Sequence, residues 1–326
     1  MTGWRLRAAS AAAAVLLDRL VGDPPDRLHP VAWFGRAMTR RERRAWSDHR
    51  MGGVRHLGAG VLVATVPVAL TRAGARRMGG TAADGAVAVS VAAATLGARS
   101  LDRRAAEVGE ALARGRIDEA RRSLPALVGR DPAGLDEAEI ARAVVESVAE
   151  NTVDAVVAPL LWAALGGPVG AAAYRAVNTL DAMVGYRDDR YHRFGWASAR
   201  ADDVANFVPA RVGAVVVALC SPSRALDVGR AVRRQAPGHP SPNAGVIEAA
   251  FAAALGLRLG GTNRYGEVVE HRAQLGDGRV AAAADIDRAR RLARRVTAVA
   301  AVALAAPFLW ELSRSPRTGR ASRGAR

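Results

Sequence analysis

Stretches without a charged residue alternate along the chain with stretches dense in arginine and acids. Leu57–Thr71, Gly85–Ala98 and Val296–Trp310 are uncharged runs of about 15, 14 and 15 residues, and Ala155–Tyr174 is one of about 20. A bilayer span takes roughly 20 apolar residues, so the last predicts a membrane helix and the others predict short ones. Gly74, Gly79 and Gly80 separate the first two runs and predict a helical hairpin in the bilayer. Val204–Leu219 would be a further run, but Arg211 interrupts it; it is either a helix lining a cavity or no span. Ala8–Leu17 is short for a span, and Asp18-Arg19-Leu20 continue its helical pattern. It predicts an uncleaved amphipathic or partly embedded helix rather than a signal peptide.

Between these runs, Leu101, Ala105, Val108 and Leu112 recur at helical spacing among charges. Gly115 and Pro125 interrupt the pattern and Asp131-Pro132 restart it, so residues 99–143 predict short amphipathic helices on the membrane surface. The last delivers Glu146 and Glu150. The expected fold is all-α: a polytopic integral membrane helical protein with amphipathic surface helices. Residues 1–312 form one helical membrane domain and 313–326 a basic disordered tail. Both ends are basic, which by the positive-inside rule places both in the cytoplasm with an even number of spans, four being simplest. Four straight spans would leave Asn178–Arg211 facing away from Glu146 unless helices re-enter or tilt.

The polar turns punctuate this pattern. Gly22–Gly35 holds three prolines, Asp23 and His29, and cannot be a continuous helix. It is a rigid connector, or one that contributes ligands. Gly166-Gly167-Pro168 precedes a helix carrying Asn178 and Asp181, which share a face at i, i+3. Gly185–Tyr191 alternates charges, and Asp202, Asp203 and Asn206 enter the next helix. Asn243 either caps the helix that carries Glu248 or binds a ligand. Gly260–Gly266 is a Gly-rich polar turn whose backbone N–H groups, Asn263 and Arg264 could meet an anion.

Composition narrows the chemistry. The net charge is +16, and all 47 basic residues are arginine. Without lysine there is no Schiff base and no P-loop lysine. Cys220 is the single cysteine, which excludes an intrachain disulfide, and no HxxxH or HExxH spacing points to zinc. The arginines flank apolar runs rather than interleave with aromatics, which favours lipid headgroups or an anionic substrate over nucleic acid. Glu146, Glu150 and Asp154 lie at i, i+4 and i+8, three like charges on one helical face. They are a solvated acidic turn, or carboxylates at the mouth of a membrane helix held there by a bound cation or a facing arginine.

The order of these blocks resembles the CobD/CbiB family of cobalamin biosynthesis, the adenosylcobinamide-phosphate synthases. The blocks are DRLVGDP and HPVAWFG, ESVAENTVD, NTLDAMVGY, FGWASARADDVANFVPAR, SPNAG and GGTNRYG, which cover Asp18 to Gly266. Ala155 stands where the family often has Gly. The resemblance implies a multi-pass protein of the cell membrane. It implies ATP-dependent amide formation between the propionate carboxyl of adenosylcobyric acid and aminopropanol or its phosphate, with Mg2+. Partners would be the corrinoid, the amino alcohol, membrane lipid and other cobalamin-pathway membrane enzymes. On that chemistry Glu146, Glu150, Asp154 and Asp181 are candidate metal ligands. Asp202, Asp203 and Glu150 are candidate catalytic groups. Asp23, His29, Asn151, Asn178, Arg187, Asn206, Arg211, Asn243, Asn263 and Arg264 are candidates for binding substrate or phosphate. The alternative is a non-catalytic membrane sensor or scaffold for corrinoid enzymes, but a scaffold has no use for so many polar groups beside apolar runs. A transporter would want more spans and an internal repeat.

Overall fold

The computed structural model describes residues 3–314 except Asp26, Arg130, Arg187, Gly266 and Glu267; the side chains of 263–271 and Leu312 also lie outside the described set, as does the tail from 315 on. The chain is a helical bundle with one small sheet. Among the described residues, four stretches are long and apolar enough to cross a membrane: Arg50–Ala113, Glu137–Val184, Trp196–Cys220 and Ala283–Glu311.

Helix α1 (Gly3–Val21) is followed by the Pro-rich connector and α2 (Pro30–Ala45). Helix α3 (Arg50–Thr95) is two arms folded back on each other at Gly80, whose φ of 63° only glycine adopts readily. This is the hairpin the sequence predicts. Arg72 on one arm donates to both oxygens of Asp84 on the other, at 2.7 and 3.1 Å. Helices α4 (Ala98–Ala113) and α5 (Ile117–Ser123) are the amphipathic pair, with Ala105, Val108 and Leu112 buried as their spacing predicts. Helix α6 (Glu137–Thr152) begins five residues after Pro132, because Asp136 and Glu139 form a reciprocal capping box.

Helix α6 runs through a π turn at Val153–Val157 into α7 (Ala158–Val184). Here the structure corrects the expectation of one span over Ala155–Tyr174. Gly167 has φ 65° and ψ −158°, and the chain reverses there. Gly170 packs so closely on the first arm that a Cβ would lie 2.5 Å from the Trp162 carbonyl oxygen. The first arm, Val153 to Gly166, is only about 20 Å long at 1.5 Å per residue, against roughly 30 Å of hydrocarbon. The second arm returns the chain to the level of Asp154, and the Tyr174 hydroxyl oxygen lies 3.2 Å from the Asp154 carbonyl oxygen.

Helix α8 (Trp196–Cys220) buries Asn206, Pro209, Ala210 and Gly213 and exposes Val204, Phe207, Val208, Val215 and Leu219. An exposed apolar face of this extent suits lipid. Helices α9 (Ala225–Arg234) and α10 (Ala244–Leu255) pack beneath it. Three strands follow: β1 (Leu257–Tyr265), β2 (Val268–Leu275) and β3 (Arg279–Val280), in the order β2-β1-β3. The segment read as a Gly-rich turn is therefore strand. Gly260 sits at a register shift with φ 77°, and a Cβ there would meet the Ala273 carbonyl oxygen at 2.1 Å. Helix α11 (Ala283–Arg314) closes the fold and runs antiparallel to α1: Arg5 pairs with Glu311 at 2.6 Å, while Ala11, Ala14 and Val15 pack against Ala300, Ala301 and Leu304.

These reversals sort the chain into two ends. Gly80, Gly167, Arg5 and Glu311 lie at one end; Arg7 and Arg72 flank Gly167. Asp23 and His29 of the connector, the start of α4, the end of α6, Asp181 and the 202–206 turn of α8 lie at the other.

Candidate functional site

A cleft of about 300 Å3 opens at that second end. Glu150 from α6, Asp154 from the π turn, Asp181 from α7, and Asp202 and Asp203 from α8 line it, together with Asn206, Asn243 and Arg272. The hairpin at Gly167 is what brings Asp154 and Asp181 together, and the extra residue of the π turn sets the phase of Asp154. Such turns occur often at functional sites. Gly185 is obligatory behind Asp181, since a Cβ there would lie 1.9 Å from its carboxylate oxygen.

Amide groups hold the carboxylates. Asn178 Nδ2 donates to Asp154 Oδ2 at 3.3 Å and to Asp202 Oδ1 at 3.2 Å. Asn206 Nδ2 donates to Asp202 Oδ2 at 3.0 Å, and Asn206 in turn accepts from the buried Tyr174 hydroxyl at 2.9 Å. Behind Asn178 lies Arg175, whose Nη1 donates to Asn178 Oδ1 at 3.1 Å and whose Nε donates to the Thr95 carbonyl oxygen at 3.0 Å. Sequence reasoning passed over Arg175. Its signal was available: it is the sole charged residue between Asp154 and Asp181.

Asn243 stands at the start of α10 but its side chain does not cap the helix. Nδ2 donates to the Asp203 carbonyl oxygen at 2.7 Å, and Ser241 Oγ accepts from the Ala244 N–H instead. Arg211 donates to Asn243 Oδ1 at 3.3 Å and stacks on Phe207, 3.5 Å from the ring centroid. Its place at this rim explains the charge inside an apolar run.

Glu146 does not line the cleft. Its Oε1 accepts the Gly260 N–H at 2.8 Å, and Arg142 on the same helix donates to the Gly260 and Thr262 carbonyls, so the pair clamps the bulged strand to α6. Glu146→Ala is expected to cost about 1–3 kcal/mol of stability, the usual result of orphaning a buried donor. A melting curve in detergent checks this.

Asp23, His29 and Asn151 line a neighbouring cleft of about 320 Å3, on the far side of Arg175. His29 Nδ1 accepts from the Val31 N–H at 3.2 Å and so caps α2, leaving Nε2 3.6 Å from Asp23 Oδ1. Ser100 Oγ donates to the other Asp23 oxygen. Burial raises the Asp23 carboxyl, but the bonds from His29 and Ser100 outweigh it and hold the group below its ordinary range. A depressed carboxylate contributes stability above its unfolded value, near pH 4, and loses it as the pH falls through the lower folded value. Asp23→Asn should therefore melt below wild type at neutral pH, with the gap closing on acidification below about pH 4. Arg187 and the side chains of Asn263 and Arg264 lie outside the described set.

Among the described residues, no group of three or more His, Cys, Asp or Glu is arranged to hold a metal by itself. Mg2+ asks for less: one or two carboxylates, with waters and substrate phosphates completing its shell. Hard oxygen donors facing one cleft, with no sulfur among its lining residues, fit that ion.

A model of the family described as CobD/Cbib protein matches residues 11–293. Among similar curated proteins is the cobalamin biosynthesis protein CobD of Mycobacterium tuberculosis, 48% identical over 302 residues, covering 92% of this chain and 95% of that one. Another is the cobalamin biosynthesis protein CobD of Pelobacter propionicus, 42% identical over 272 residues, with coverages of 82% and 84%. The protein of the same name from Rhodobacter capsulatus is 38% identical over 318 residues, with coverages of 94% and 99%. No solved structure matches the chain.

Proposed function

We infer the activity from two premises: the chain belongs to the CobD/Cbib family, matched over residues 11–293, and five carboxylates from three helices and the π turn face one cleft at one end of its bundle. The reading is a cell-membrane enzyme of cobalamin biosynthesis that forms an amide between the propionate of adenosylcobyric acid and aminopropanol or its phosphate, at the expense of ATP. The arrangement of carboxylates carries it, because a scaffold gains nothing from the repulsion of five acids in one cleft.

In this reading the substrate carboxylate attacks the terminal phosphorus of ATP, giving an acyl phosphate and ADP. The amine then attacks the acyl carbon, phosphate leaves, and the amine surrenders a proton. One or two of Asp154, Asp181 and Glu150 would hold Mg2+, with waters and substrate phosphates completing its shell, and the ion would supply neutralisation of the phosphate charge when bound. Asp202 takes the proton: Asn178 and Asn206 each donate to one of its oxygens, which fixes the carboxylate while leaving each oxygen a second lone pair. Arg272 and Arg211 at the rim meet phosphate oxygens.

The test is purified protein in detergent with adenosylcobyric acid, each form of the amino alcohol, and ATP with Mg2+. Amide product and ADP should appear in equal amounts. ADP without the amide, or neither product, overturns the reading.

A further inference from the structure

A second, larger groove of about 550 Å3 opens between α2, the two arms of α3 and the second arm of α7. Its walls are apolar, with Trp33 and Phe34 from α2, Val63 and Pro67 from the first arm of α3 and Val91 from the second. At its inner end stand Val31, Ala94 and Arg175, and the same three residues line the cleft of Asp23, His29 and Asn151. The two spaces therefore adjoin at Arg175. One is apolar and set among bilayer arms; the other is polar and carries Arg104 and Asn151.

We propose that this joined groove is the subsite for the corrinoid, with the apolar flank of the macrocycle against α2 and α3, its amide-bearing rim in the polar half, and the reacting propionate on Arg175. The proposal rests on the ligase reading. A cleft of about 300 Å3 sits at the bottom of the range that drug-sized ligands fill, so the acidic cleft cannot enclose a corrin macrocycle. The joined groove is roomier and meets a cation where its two halves join. A guanidinium has five N–H donors. Thr95 and Asn178 engage Nε, Nη1 and Nη2, one bond each, which leaves donors for a carboxylate. Asn178 bonds both Arg175 and the acids of the other cleft, so a propionate held there lies one side chain from the place where phosphoryl transfer is proposed.

The experiment measures corrinoid binding without ATP. Adenosylcobyric acid is titrated into the detergent-purified chain, with equilibrium dialysis giving Kd and quenching of tryptophan fluorescence giving position. Ala64→Phe and Val91→Phe, which fill the apolar half, should each weaken binding by roughly tenfold or more, equivalent to about 1.4 kcal/mol. Leu62→Phe, on an exposed position of the same arm outside the groove, should bind as wild type. Trp33→Phe should lose most of the saturable quenching. Filling variants that elute as wild type and bind with wild-type Kd overturn the subsite, even when co-purified lipid is displaced from the groove. Failure of the wild-type chain to bind the corrinoid overturns the ligase reading itself, and the two failures are thereby told apart.

Discussion

Asp202→Asn is expected to lower amide formation by about 10²–10⁴-fold, the range set by removal of a positioned general base. The substitution keeps the shape of the side chain. One of its two oxygens becomes an N–H2 group facing an amide that already donates to it, from Asn178 or Asn206. The loss should fall on kcat, because in the proposed reaction Asp202 acts on the attacking amine rather than on the binding of the corrinoid. Asp203→Asn is the control. Asp203 pairs with Arg200 at 3.3 Å, and its backbone carbonyl, which the substitution leaves intact, accepts from Asn243. Its effect should be smaller by at least about tenfold. Single-turnover measurement of product against time distinguishes the two, and equal losses would remove Asp202 from the role of base.

Gly167→Ala is expected to damage stability and activity together. A conformation with φ 65° and ψ −158° is essentially closed to residues with a Cβ and costs about 1–3 kcal/mol. The new methyl would also sit 3.2 Å from Arg7 Cδ. Relief of that strain rotates the second arm of α7, and with it Asn178 and Asp181, out of phase with Asp154. Gly166→Ala is the matched control, since a Cβ there meets nothing within 4 Å. Melting temperature in detergent and specific activity should fall for the first and hold for the second.

The reversal at Gly167 also marks the limit of what sequence patterns convey. An uncharged run such as Ala155–Tyr174 reads the same whether it crosses once or turns at its middle, because hydropathy carries no direction. The α3 hairpin was legible because Arg72, Arg76 and Arg77 break its run at the turn; Gly166-Gly167-Pro168 breaks nothing polar. The acidic residues stood out by type, but spacing alone could not rank them. Glu146 shares a helical face with Glu150 in a regular helix, yet its partner is a strand more than a hundred residues away. No local pattern reports that contact, or the π turn that shifts Asp154. Arg175 was missed because it follows an apolar run and resembles a flanking charge until the helix is seen to fold back. The strands at 257–280 were hidden by the two glycines of the bulge, which mimic a turn.

The same reversals place the first turn of α1 and the last turns of α11 at the end opposite the site, and the proposed reaction would draw its ATP from the cytoplasm. On that proposal the site end faces inside and the outer ends of α1 and α11 face outside, against the expectation from the basic ends of the chain. Single cysteines in a Cys220→Ser background, probed in intact cells with a membrane-impermeant maleimide, test this directly. Met78 and Leu165, exposed beside the two hairpin tips, should label when replaced by cysteine. Leu28 and Tyr186, exposed at the site end, should label only after the membrane is opened. Labelling of Leu28 and Tyr186 positions from opposite faces would contradict the gathering of these segments at one site.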